Sequence, residues 1–357
     1  MAEGLLAARE EPRPIIGHGP VWERLVAESG APAGAYLFVG PRGVGKSLVA
    51  RRFAERLVCG RGCDRPDGCP SCEKARTGGH PDIVVVSPSE RQRIGVDDAR
   101  GVVRRAARTP VESSRKVFII DREITEPAAN VLLKTLEEPT GSTVFILVSA
   151  SAEDFPSTVA SRCRIIHFGK VGTADMVDAL LRRGVERSEA EVLAEVAGGR
   201  PMMALQLRGE APAARFRSAW REKAEQLAER DHLGAGQALA MVDEVLTHTE
   251  RMLDKVRPSR SMAGREREQA RRETRRQRRL LWVSGLEIMA GWFVDAAGRE
   301  LSDSGGGPGE TMRRPSVDPA RALRSADLIL EAGVELSRLN LRPRARLAEL
   351  FCRLVMQ

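Results

Sequence analysis

The run Gly40-Pro41-Arg42-Gly43-Val44-Gly45-Lys46-Ser47 fits the pattern G-x-x-x-x-G-K-[ST] at every constrained position, and it dictates much of what can surround it. A glycine loop of this kind works only between a strand and a helix. Ala35 to Val39 is apolar and β-prone, and Leu48 to Val58 has the spacing of an amphipathic helix, so both flanks are correct. Gly40, Gly43 and Gly45 let backbone N–H groups converge on phosphate oxygens, with Arg42, Val44 and Leu48 completing the wrapped stretch. The helix that follows presents its positive end. Lys46 is placed to neutralise β/γ-phosphate charge and the Ser47 hydroxyl to ligate Mg²⁺, so the expected ligand is a nucleoside triphosphate, ATP with Mg²⁺. The competing reading is a chance glycine loop or a degenerate nucleotide fold.

A chain of 357 residues has room for two or three domains. Apolar content of 42% with 30% charged residues is that of a globular protein, and no run approaches the eighteen or so apolar residues of a membrane span. Met1 to Glu11 lacks the basic-then-apolar order of a signal peptide, so the expectation is a cytoplasmic protein with no membrane partner. The net charge of +8 suggests affinity for polyanions, although the excess of arginine over lysine fits genomic base composition equally well.

Four of the six cysteines, Cys59, Cys63, Cys69 and Cys72, fall in one turn-rich segment directly after the loop's helix. Their spacing, C-x3-C-x5-C-x2-C, favours a closed tetrahedral Zn²⁺ site over free or redox-active thiols, with Cys63 at the least regular position. Such an ion staples a segment too poor in apolar residues to fold alone. Cys163 and Cys352 stand apart and read as packing residues, and His18 as a cap or packing residue rather than a ligand. Ile83 to Val86 reads as a buried strand of a parallel sheet, and Ile94 to Asp98 opens a helix with acids in its first turn. Lys116 to Ile120 is a further strand and ends at Asp121. A carboxylate at a strand end can hold the Mg²⁺ shell, because ligands gather where the strands of an open α/β sheet terminate.

Pro127 to Pro139, Thr143 to Val148 and Pro156 to Cys163 together resemble the bacterial replicative clamp loaders, a family of AAA+ proteins. Asn130 to Pro139 matches that family's N-x-L-L-K-x-L-E-E-P signature, and Ser161-Arg162-Cys163 its S-R-C motif. The resemblance covers about Ile15 to Leu207 and, more loosely, the helices from Leu339 to Leu354. It implies that Arg162 acts in trans as an arginine finger toward a nucleotide on a neighbouring subunit, where a guanidinium spreads its donors over a phosphate. It also implies partners: other clamp-loader subunits (gamma/tau and delta), with the sliding clamp and primed DNA reached through the complex. Length, and the lack of a long extension past the third domain, favour a stator subunit; the complete P-loop keeps open a motor-type subunit that itself hydrolyses ATP.

The chain departs from the motor pattern at several points. Arg122 stands where a second acid usually follows the strand-end Asp, leaving Glu123 as the substitute water-activating carboxylate. Ser149 or Ser151 would sense the γ-phosphate. Gly198 to Leu205 resembles the sensor helix, but Met203 occupies the place where motor subunits use arginine, and Arg200 is slightly displaced from it. The implied architecture is an α/β P-loop AAA+ domain over 1–170 with a zinc module at 59–72, a helical lid over 171–210, and an all-α collar over 211–357. A basic insertion, 257–279, and a flexible Gly/Pro-rich loop, 302–315, interrupt the collar. The insertion reads first as a solvated helix or disordered segment and second as a DNA or phosphate contact, with no aromatic residue in it for stacking.

Overall fold

A computed structural model describes residues 15–59, 69–86, 93–121, 124–139, 142–208, 211–253, 264–303, 317–338 and 342–356. Cys63, Arg122, Glu123 and most of the Gly/Pro-rich loop lie outside the described residues. The chain forms two compact units, Met1–Asp175 with Arg200–Met202, and Met176–Gly199 with Met203–Gln357.

The first unit is built on a five-stranded, wholly parallel sheet: β1 (Ala35–Val39), β2 (Ile83–Val85), β3 (Lys116–Ile120), β4 (Thr143–Ser149) and β5 (Arg164–His167), in the spatial order β2-β3-β4-β1-β5. Helices α1 (Gly19–Glu28), α2 (Lys46–Val58), α3 (Pro70–Thr77), α4 (Val96–Ala106), α5 (Glu126–Glu137) and the short α6 (Ser157–Ala160) supply the connections. Strands buried on both faces carry continuous apolar runs, and every residue of β1 and of β3 is buried. The pleat sends Ala35, Leu37 and Val39 into a core with α4 and α5, while Tyr36 and Phe38 enter a second core with α1 and α2. After β1 the chain runs to the far edge at β2, returns through β3 and β4, then passes over β1 to reach β5. This makes the carboxyl end of β1 the place where the winding reverses, and crevices of open α/β sheets form at such points.

The second unit is helical: α7 (Thr173–Leu181, whose first turn belongs to the first unit), α8 (Arg187–Ala197), α9 (Pro201–Gln206), α10 (Ala211–Ala228), α11 (Ala235–Met252), α12 (Gly264–Asp303), α13 (Pro319–Arg338) and α14 (Pro343–Val355). Part of α12, Thr274–Glu300, is long and apolar enough by length and composition to cross a membrane. Its large side chains, Leu281, Leu286, Met289 and Phe293, are buried against the other helices, the pattern of a core helix. At Gly285 of α12 an added Cβ would lie 2.0 Å from the Trp220 ring, so the missing side chain is what lets that fully buried indole close against the helix.

One buried carboxylate fixes how β2 meets the loop before β3. Asp82, fully buried just ahead of β2, accepts hydrogen bonds from the backbone N–H groups of Val111, Glu112 and Ser113 at 2.7–3.0 Å and from the Ser113 hydroxyl at 3.2 Å. Burial alone pushes this carboxyl up, but the donors outweigh it and hold Asp82 below the ordinary carboxylate range. A depressed folded pKa means that the stabilisation is present above the unfolded value, about 3.9, and is lost as pH falls through the folded value. Asp82→Asn is expected to destabilise the first unit by about 1–3 kcal/mol. In urea unfolding, the variant should also lose part of the wild type's stability decline below about pH 4; an unchanged acid limb would show that Asp82 carries no such linkage.

Candidate nucleotide site and cysteine cluster

The loop after β1 has the backbone that its glycines predict. Gly40, Gly43 and Gly45 adopt φ of 145°, 86° and 111°, a region L side chains avoid. Gly40 is also wedged between strand ends. Its N–H donates to the Ala150 carbonyl beyond β4 at 3.2 Å, and a Cβ on it would lie 2.0 Å from the Phe168 carbonyl oxygen beyond β5. Gly45 is the N-cap of α2, and Lys46 is its first residue. The Lys46 Nζ, nearly buried, donates to the carbonyls of Gly40 and Pro41, both at 2.6 Å, which holds a positive charge at the centre of the loop. Ser47 follows on α2 and is half-buried. A phosphate here would meet the N-terminal N–H groups of a thirteen-residue helix and a lysine.

Strand register assembles the neighbours. Val39 pairs with Ser149, so the end of β4 lies beside the start of the loop. Asp121 follows β3, two strands from β1 and about 10 Å away across the sheet. Sheet topology therefore places Lys46, Ser47, Asp121 and Ser149 at the same end of the sheet. Ser149 and Ser151, the two candidates for a phosphate-sensing hydroxyl, both attend Asp154: the Ser149 hydroxyl and the Ser151 N–H donate to its carboxylate, as does the Ala150 N–H at 3.2 Å. Burial pushes Asp154 up, yet these donors and the nearby Arg42 charge hold it below its ordinary range. Glu123, the substitute base, lies outside the described residues.

Arg162 follows α6, away from the glycine loop in sequence and on a different strand connection. Its Nε donates to Glu137 Oε1 at 2.5 Å, its Nη1 to the Thr158 carbonyl at 2.6 Å, and its Nη2 also pairs with Glu137. Glu137 ends α5 and is the first glutamate of the E-E-P run. Side-chain exposure of 34% and 42% leaves this pair in contact with water, where such bridges contribute about 0–1 kcal/mol. Cys163, next in sequence, packs beneath the sheet, and burial pushes its thiol up to about 11, which suits an inert packing role.

Cys59, Cys69 and Cys72 converge with their sulfurs all within 4.8 Å of one another. Cys59 is the C-cap of α2 and Cys69 the N-cap of α3, which brings their Sγ atoms to 3.5 Å. Sulfurs around a tetrahedral Zn²⁺ stand about 3.8 Å apart, given Zn–S bonds of about 2.3 Å. The trio therefore fits three corners of such a site. Cys63 lies outside the described residues. The Cys72 N–H donates to Cys69 Sγ at 3.4 Å, and Arg76, held by Glu55 at 2.9 Å, carries positive charge near Cys69 and Cys72.

Two residues reach the loop from distant parts of the chain, His18, whose expected cap and packing role holds, and Arg200. His18, read as a cap or packing residue, is buried and donates from Nε2 to the Val44 carbonyl at 2.8 Å, while its ring meets Phe168 edge-on at 5.1 Å. Burial first, and then the Lys46 charge, lowers its pKa, so it braces the loop as a neutral imidazole. Arg200, which sequence places off the sensor position, is buried against the loop: a Cβ on Gly43 would meet its Cγ and Cδ at 3.3 Å. Its group with the first unit puts it at the phosphate loop despite a separation of more than 150 residues.

Comparison with known proteins gives a match of residues 21–172 to the family described as "DNA polymerase III, delta subunit". The chain is similar to the DNA polymerase III subunit delta' of Pseudomonas aeruginosa, 35% identical over 50% of this chain and 56% of that protein. It is also similar to the DNA polymerase III subunit tau of Bacillus subtilis, 32% identical over 50% of this chain and 33% of the relative. The chain thus spans about half the length of the first and a third of the second. A solved Thermotoga maritima chain, titled a DNA polymerase III gamma subunit-related protein, aligns over 93% of this chain and 98% of its own at 17% identity with a TM-score of 0.45.

Because Gly40 combines positive φ with the close approach of Phe168, Gly40→Ala is expected to destabilise the first unit by at least about 2 kcal/mol. Urea unfolding checks this, and a midpoint equal to wild type would mean that the strand ends part easily.

Proposed function

From the match of residues 21–172 to the family described as "DNA polymerase III, delta subunit" and the similarity to delta' subunits, we propose that the chain is the delta-prime subunit of the clamp loader, a stator of AAA+ type. In this reading it holds a hetero-oligomeric ring with gamma/tau and delta subunits, and the ring loads the sliding clamp onto primed DNA. The observation that carries the reading is Arg162, a partly exposed guanidinium held at the surface by Glu137 and Thr158. Glu137 keeps the side chain extended in one direction, at little energetic cost to remove. A neighbour's polyphosphate, with more charge to offer than one carboxylate, would draw the guanidinium from Glu137 and gain a transition-state contact only when the subunits close. Arg162 is then catalytic in trans.

The glycine loop supports nucleotide binding by this chain as well. Its backbone N–H groups and Lys46 would hold the phosphates of ATP, with Ser47 and Asp121 toward Mg²⁺; what the nucleotide supplies is a transferable γ-phosphoryl group. His18 and Arg200 brace the loop from either side. This loop is also the specific observation favouring the second reading, a motor-type gamma/tau-like subunit whose Asp121 and Glu123 support its own hydrolysis. The cysteine trio, completed by Cys63, would hold a structural Zn²⁺ that joins α2 to α3 and leaves no open coordination position.

Arg162→Ala is expected to lower ATP turnover by the assembled clamp loader about 10³-fold or more while leaving the isolated chain's thermal midpoint unchanged. Lys46→Ala should be tolerated in the same assay. Steady turnover by the isolated chain, abolished by Lys46→Ala, would instead establish the motor reading. For the metal, the purified chain is expected to carry about one zinc, lost together with thermal stability in Cys72→Ser; a chain with full stability and no zinc after metal-free purification ends that assignment.

A further inference from the structure

The arginine-rich stretch has no role in the nucleotide site, and its described part is the amino-terminal portion of α12. Residues 257–279 contain ten arginines against three glutamates. From residue 270 onward the helix has two distinct sides. Thr274 is buried, with its hydroxyl on the Ala270 carbonyl at 2.9 Å, and Leu281 is buried one face-length further on. Arg278 is tied to Glu250 of α11 by two hydrogen bonds, Nε at 2.6 Å and Nη2 at 3.0 Å, and Gln277 donates to Gln206 at 2.9 Å. These contacts fix which way the helix is turned. Arg271, Arg275, Arg276 and Arg279 are exposed; Arg276 and Arg279 lie opposite the buried Thr274 and Leu281, Arg275 between them and Arg271, and Arg271 in line with Arg278.

Arg271, Arg275 and Arg279 recur at i, i+4 and i+8, which stacks three like charges about 6 Å apart along one stripe, with Arg276 beside it. Like charges at this spacing oppose helix formation. The arrangement is suited to a polyanion with regularly spaced charge. A stripe about 12 Å long faces three or four phosphates of one strand at about 3.4 Å of axis each. Guanidinium groups are the forked donors that such oxygens accept best.

The same residues indicate which polyanion. Residues 264–279 contain no Leu, Ile, Val, Met, Phe, Tyr or Trp, so this helix has nothing to insert into a lipid surface and no ring on which to stack an unpaired base. We propose that the outward face of α12 formed by Arg271, Arg275, Arg276 and Arg279 is a docking surface for the sugar-phosphate backbone of duplex DNA, bound without regard to sequence. The inference rests on this helix face and not on the nucleotide-site reading.

The test is fluorescence anisotropy of the full chain with a labelled duplex of arbitrary sequence, repeated from about 50 to 200 mM salt. Wild type is expected to bind with log K falling linearly with log salt. The fourfold Arg→Gln variant at 271, 275, 276 and 279 should bind at least about tenfold more weakly at the lowest salt, and its slope should be shallower by about 0.9 for each phosphate contact removed. The fourfold Arg→Lys variant should retain most of the slope. Should the Gln variant fail to fold, single Arg275→Gln and Arg271→Gln variants read the same slope one contact at a time. Equal slopes for wild type and the Gln variants would overturn the proposal. So would tighter binding to single-stranded than to duplex DNA, or binding to phosphatidylserine vesicles that duplex DNA does not compete away.

Discussion

At residue 40 the chain can have no side chain, and the site is arranged around that fact. The Phe168 carbonyl stands where a Cβ would be, and the Ala150 carbonyl takes the Gly40 N–H. Both groups come from strands that flank β1, so the close approach is a property of the parallel sheet and not of the loop alone. With β4 and β5 drawn in on either side, the backbone after Val39 has to turn out over the strand ends. Three positive-φ glycines then curl it back to start α2 at Lys46. The lysine charge, held by the loop's own carbonyls, sits where the helix N-terminus already favours an anion.

The parts legible from sequence were those whose physics is local or periodic. The glycine pattern specifies backbone conformation residue by residue, and the apolar run Lys116–Ile120 ending at Asp121 reads as a buried strand, which β3 is. Cysteine spacing likewise foretold that Cys59, Cys69 and Cys72 would meet, since a helix end and a helix start separated by a short excursion have few ways to be arranged. What stayed hidden depends on residues far apart in the chain. His18 reaches Val44 across 26 positions, and nothing in the residues around His18 distinguishes it from an ordinary cap. Arg200 was discounted because it missed an expected helix position, yet a long aliphatic stem lets the side chain reach Gly43 from a neighbouring register. Glu137 was visible only as one letter of a signature, and its role toward Arg162 depends on α5 and α6 lying together.

Charge is handled differently in the two regions that matter. Among the described residues of the first unit, several ions have a short, specific tether: Asp82 to three backbone amides, Glu55 to Arg52 and Arg76, Arg162 to Glu137. The exposed pair of Arg162 and Glu137 orients a group more than it adds stability. On α12, Arg278 is tied to Glu250 of α11, while the exposed arginines Arg271, Arg275 and Arg279 repeat along the axis. The first pattern suits positioning of single groups, and the second suits a long, evenly charged partner.

Helix α2 begins with the loop lysine and is capped at its other end by Cys59, some 20 Å away at 1.5 Å per residue over thirteen residues. One turn before Cys59, Glu55 clasps Arg52 of the same helix and Arg76 of α3. A rod this short does not bend easily, so the lysine-bearing end and the sulfur-bearing end move as one piece. Anyone grafting a different cysteine segment onto this scaffold, or trimming it away, would be re-aiming Lys46 at the same time.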